Sequence, residues 1–145
     1  MKRAKRLQPL HDMVGENERN CAARLAEVER RLREGEQRFH DLVRYRIEYE
    51  QAFHARAREG AAMRGLREQQ TFIARLSEAV RAQQTVLEQL RIECAAARTL
   101  WSEAATRKQA VAKVIQNAQS EEAMKEEKRQ QREMDELASQ RRVQR

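Results

Sequence analysis

The chain has 145 residues, of which 37% are charged and only 4% aromatic, with four Gly and one Pro. That composition supplies too few large apolar side chains for a layered globular core and fits a long helix or coiled coil. Net charge is +7, but only residues 1–6 (Lys2, Arg3, Lys5, Arg6) and the stretch 44–67 carry a marked basic excess. Elsewhere Arg and Glu alternate at helical spacing, and no basic stripe is interleaved with stacking aromatics, which argues against nucleic-acid binding.

The first arm, predicted as a helix over about residues 5–59, shows a heptad period through Leu7, Leu10, Val14, Asn17 and Cys21. The repeat continues at Leu25, Val28, Leu32, Gly35, Phe39, Leu42, Arg46, Tyr49 and Phe53. Between Asn17 and Leu25 two steps of four succeed one another, so a stutter is expected there. Gly60 and Gly65 then interrupt the pattern in Glu-Gly-Ala-Ala-Met-Arg-Gly, and a turn is predicted over about 60–65.

The second arm, predicted over about 66–140, keeps a gap-free register. It runs through Leu66, Gln69, Ile73, Leu76, Val80, Gln83, Leu87, Leu90, Cys94, Ala97, Trp101, Ala104, Lys108, Val111, Ile115 and Ala118. Thirteen of these sixteen seats are apolar, and a 3.5-residue period held this long marks a coiled-coil seam. If the chain reverses at the glycines, facing seats have numbers that sum to about 122, as in 25 with 97 and 28 with 94. The expected fold is therefore all-α, a single domain over 1–145. Two long helices form an antiparallel coiled-coil hairpin, and the second is longer, with an overhanging C-terminal tail. That tail, from Glu121 to Arg145, balances seven basic against seven acidic residues, with Met124, Met134 and Leu137 as its large apolar side chains.

Catalysis finds no foothold. His11, His40 and His54 lack the spacing that metal ligation from one helix face requires, the glycines form no phosphate-cradling loop, and the Glu residues face solvent by position. No enzyme activity, cofactor or metal is expected. Cys21 and Cys94 stand on seam seats about seven residues out of step and read as reduced core thiols. No apolar run succeeds the basic N-terminus and no stretch matches a membrane span, so a soluble cytosolic protein is expected. Tyr45 and Phe72 are the residues that break the seam rule. They lie one position before seam seats, and helical spacing groups Leu42, Tyr45 and Tyr49 on one arm and Phe72, Leu76 and Ala79 on the other. An aromatic patch of this kind marks either a wide, self-packed seam or a protein partner's docking site.

The chain resembles the flagellar export protein FliJ family of the bacterial type III export apparatus. The resemblance rests on Tyr45-Arg46-Ile47-Glu48-Tyr49, on Phe72-Ile73-Ala74-Arg75-Leu76-Ser77-Glu78-Ala79, on Trp101 in mid-helix and on Met134-Asp135-Glu136, together with length and basic charge. It implies a stalk-like antiparallel coiled coil that binds the ring of the export ATPase FliI, contacts the cytoplasmic domain of the export gate FlhA and escorts empty export chaperones. The site of action would be cytoplasmic, peripheral to the inner membrane at the flagellar base. By this resemblance the gate-binding residues are Leu42, Tyr45, Tyr49, Phe72, Leu76 and Ala79, whereas Arg38 and Gln83 depart from the family pattern at the edges of that face. Leu7, Leu10, Val14, Val111, Ile115, Met134 and Leu137 would engage the ATPase ring. The equivalent stalk of a virulence secretion system and a basic coiled-coil adaptor stand as alternatives.

Overall fold

The computed structural model describes residues 2–144, which form two α-helices packed against each other as an all-α hairpin, with no strand among the described residues. Helix α1 spans Lys2–Arg58 and α2 spans Met63–Val143. The reversal between them is tighter than the expected turn over 60–65. Gly60 adopts a positive φ of 81°, its amide donates to the Ala57 carbonyl, and the Ala61 amide donates to the Arg56 carbonyl. This pair of bonds is a Schellman motif, which needs a left-handed residue just past the helix and is therefore suited to glycine. Arg56 and Arg58 occupy the last turn of α1, where their charge complements the helix dipole. Gly65 lies within α2, so only one of the two glycines makes the turn.

By its contacts the chain divides into two compact units, Ala22–Leu100 and the N-terminal stretch through Cys21 together with the chain from Trp101 onward. The first holds the turn and is called the closed-end unit; the second holds both termini and is called the open-end unit.

In the closed-end unit, Val28, Cys94 and Ala97 form a buried cluster with Leu25 and Leu32 packed against it. These are the seats that the heptad count sets face to face. Val80, Leu87 and Leu90 are buried in the same seam. Gly35 is buried too, and a Cβ placed on it would stand 3.1 Å from a Leu87 methyl and 3.2 Å from a Leu90 methyl. The glycine thus permits a close approach, and Gln83, also buried, uses it by donating its side-chain amide to the Gly35 carbonyl at 3.0 Å. Ion pairs between the helices, Arg31 with Glu93 at 3.4 Å and Arg98 with Glu29 at 3.5 Å, flank the seam. They are exposed and contribute little each.

The open-end unit corrects the expected stutter. Leu10 and Asn17 face outward, while Ala4, Leu7, His11, Val14, Glu18 and Cys21 are buried or half-buried, as is Gly15 beside Val14. Counted from Leu25, those six positions recur in alternate steps of four and three, so the heptad runs unbroken and places two polar residues, His11 and Glu18, in the seam. Ala104, Ile115 and Ala118 are the buried seats of α2 here.

Helix α1 begins at Lys2, ahead of the expected start near residue 5, although Pro9 removes one intrahelical bond from its third turn. Its first turn is held from the other helix. A carboxylate oxygen of Glu122 accepts the Arg3 and Ala4 amides at 3.2 and 3.3 Å, satisfying donors that a helix start leaves orphaned. From Ala123 to Gln144 every residue is exposed. The overhang keeps its helix through local pairs such as Arg129 with Glu126 at 2.7 Å, and that guanidinium holds the Glu126 carboxyl below the usual carboxylate range.

Candidate partner-binding surfaces

Each unit presents one candidate surface. In the closed-end unit, the off-seam position of residue 72 turns its ring outward, and Phe72 is 41% exposed beside Tyr49 at 42% and Tyr45 at 45%. The structure brings Tyr49 and Phe72 together across the hairpin, ring centroids 4.7 Å apart at a tilt of 58°. Heptad counting instead sets Tyr49 inside the seam opposite Ile73. The ring packs on Phe72, where a large flat side chain gains from a tilted contact with another ring. Tyr45 carries the Arg44 guanidinium over its face at 5.5 Å from the ring centre, a cation–π contact that holds the ring in place.

Leu42, Leu76 and Ala79, grouped with these rings by helical spacing, are half-buried. They add apolar surface at helical spacing from the rings, and Leu42 and Leu76 are seam seats as well. Of the two edge positions, Arg38 is exposed, whereas Gln83 is buried and committed to the Gly35 carbonyl. Gln83 therefore works inside the hairpin.

In the open-end unit the seven expected contact residues separate into two groups. Ile115 is buried, and Leu7, Val14 and Val111 are half-buried, so these four hold the two helices together. Leu10, Met134 and Leu137 are exposed, at 40%, 67% and 56%. Met13, three residues after Leu10 and more exposed than it, shares its face and escapes a heptad reading because it stands on no seat. Ile92 and Leu100 escape for the same reason. They lie eight residues apart on the outward side of α2, both more than half exposed, with Ala96 between them. Large apolar residues away from every seat are the signal that identifies them.

Among the described residues there is no cluster of His, Cys, Asp or Glu that could hold a metal ion, and no helix is long and apolar enough to cross a membrane. Tilted rings beside a basic guanidinium and further apolar surface suit a partner that offers apolar side chains within a polar rim.

A family model described as the flagellar FliJ protein matches residues 2–145. No curated protein and no solved structure matches.

Proposed function

The chain belongs to the flagellar FliJ protein family, whose members are non-enzymatic components of the flagellar export apparatus, and from that premise we propose that it serves as a stalk-like adaptor within that apparatus. In this reading the exposed rings of the closed-end unit bind the cytoplasmic domain of the export gate FlhA. Leu10, Met134 and Leu137 of the open-end unit engage the export ATPase FliI, with Leu7, Val14, Val111 and Ile115 keeping the two helices joined there. Export chaperones are further partners, and the site of action is cytoplasmic, at the inner face of the membrane.

The observation that carries the reading is the exposure of Tyr45, Tyr49 and Phe72 on one unit of a hairpin in which Val28, Val80, Leu87 and Leu90 are buried. Rings left this exposed add less to the hairpin's own stability than buried ones would, whereas aromatic anchors buried against a partner supply most of the energy in protein contacts. The test is a titration of the gate's cytoplasmic domain with the full chain and with a Tyr45→Ala/Phe72→Ala variant. Each truncation is expected to cost roughly 1–3 kcal/mol of affinity. Equal affinity of the two proteins, with the variant folded, sinks the gate-binding assignment.

A further inference from the structure

The seam of the open-end unit is built differently from that of the closed-end unit. By the sum of 122 its facing seats are Ala4 with Ala118, Leu7 with Ile115, His11 with Val111, Val14 with Lys108, Glu18 with Ala104 and Cys21 with Trp101, and the Glu18 contacts with Trp101 and Lys108, either side of Ala104, accord with it. Three of these layers contain a His, Lys or Glu side chain, and a fourth is a pair of alanines. The closed-end layers from Leu25 to Leu42 face Ala97, Cys94, Leu90, Leu87, Gln83 and Val80 and contain no charge. Less apolar surface per layer means a lower free energy of local opening.

Glu18 stands at the inner limit of this weak stretch. Its side chain is only 18% exposed, which is costly for a carboxylate unless it is paired. Both oxygens have partners on α2. The Trp101 indole N–H donates to one at 3.0 Å, and the Lys108 ammonium lies 3.6 Å from the other. One side chain thus grips α2 at two points seven residues apart. At the opposite limit the Arg3 and Ala4 amides are held by Glu122, and Arg3 pairs with Glu121 at 3.8 Å. These contacts give the first turn of α1 a hold on α2 that a bare helix end lacks. The weaker stretch thus lies between two points at which α1 is held to α2.

We propose that residues 2–21 form an arm that opens from α2 as one cooperative unit while the closed-end unit stays folded, with Glu18 as the latch that holds it shut. Opening uncovers the apolar side of α2 at Ala104, Val111, Ile115 and Ala118, a strip suited to another amphipathic helix. The inference stands on the seam chemistry and does not depend on the export role proposed above.

Native-state hydrogen exchange on the full chain, read amide by amide, tests it. Amides of residues 7–20 should share one protection level, at least tenfold below that of residues 28–42. Glu18→Ala should lower the first group about tenfold further and leave the second unchanged. Glu18→Gln, which keeps an acceptor for Trp101 and loses the charge pair with Lys108, should give a smaller drop in the same group. Trp101 is the only tryptophan, and its emission should shift to the red as Glu18→Ala populates the open form. Protection that declines smoothly toward the N-terminus and ignores both substitutions would mean ordinary end fraying. A drop shared equally by residues 7–20 and 28–42 would mean that the hairpin opens only as a whole. Either result overturns the proposal.

Discussion

The ring of Tyr49 packs on that of Phe72 with centroids 4.7 Å apart, joining the two helices outside their seam. Tilted aromatic pairs contribute about 0.5–1.5 kcal/mol beyond the area they bury. A double-mutant cycle over Tyr49→Ala and Phe72→Ala, monitored by thermal unfolding, is expected to return a coupling in that range. Tyr45→Ala should change the melting temperature little, because Tyr45 is exposed and its ring contact is with its own neighbour Arg44. A loss of several kcal/mol at Tyr45 alone would identify it as core.

The glycines near the turn should respond in opposite directions. Gly60 has a positive φ, so Gly60→Ala is expected to destabilise by about 1 kcal/mol. Gly65 is helical, and a Cβ there would meet only the Arg56 guanidinium at 3.8 Å. Gly65→Ala should therefore stabilise by up to about 1 kcal/mol through helix propensity. Denaturant titrations of the two variants check the pair of signs.

Gly35 is the third case, decided by packing. Gly35→Leu would drive a large side chain into space already taken by Leu87 and Leu90 and displace the Gln83 amide from the Gly35 carbonyl. A destabilisation of about 1–3 kcal/mol or more is expected from overpacking. An unchanged midpoint would show that the helices are further apart there than described.

The antiparallel register can be tested directly. With Cys21 and Cys94 replaced by Ser, Leu25→Cys/Ala97→Cys should crosslink within one chain, because both side chains belong to the cluster around Val28. Crosslinking between chains in place of this would replace the hairpin with an intermolecular coiled coil.

Truncations that differ by a few residues separate capping from partner binding. A chain ending after Ala123 keeps Glu122 and its hold on the Arg3 and Ala4 amides; one ending after Ser120 loses it. The shorter chain is expected to be less stable by about 0.5–2 kcal/mol, the usual worth of a helix cap. On the proposed engagement of the export ATPase through the tail, stimulation of that enzyme should fall in both, since both lack Met134 and Leu137. Unchanged stimulation would rule out a role for the tail.

Most of the hairpin could be read from the sequence because a seam residue announces itself by period. On α2 the period is carried by large apolar residues, and the buried seats fall where the count puts them. On α1 it is carried between residues 4 and 21 partly by Ala4, His11 and Glu18. Favouring apolar side chains there selects Leu10 and Asn17 and requires a stutter that the helix does not have. Strict subtraction of sevens from Leu25 reaches Glu18, His11 and Ala4, so the information is present in the spacing and obscured by residue type. The Glu122 cap could not be read, since it joins residues nearly the whole chain apart through one carboxylate. Of the aromatic surface, the outward position of Tyr45 and Phe72 is dictated by the heptad. The seating of Tyr49 on Phe72 depends on side-chain shape and lies beyond any periodicity.

The constant pairing of seats also restricts how such a chain can change length. One residue gained or lost in either helix rotates everything on its open side by about 100° about the helix axis, taking the seats out of the seam and bringing charges in. Only a gain or loss of seven in α1, matched by seven in α2, preserves every layer. Related hairpins should therefore differ in length by matched heptads, with unmatched variation confined to the overhang after Glu122, where no partner helix keeps count.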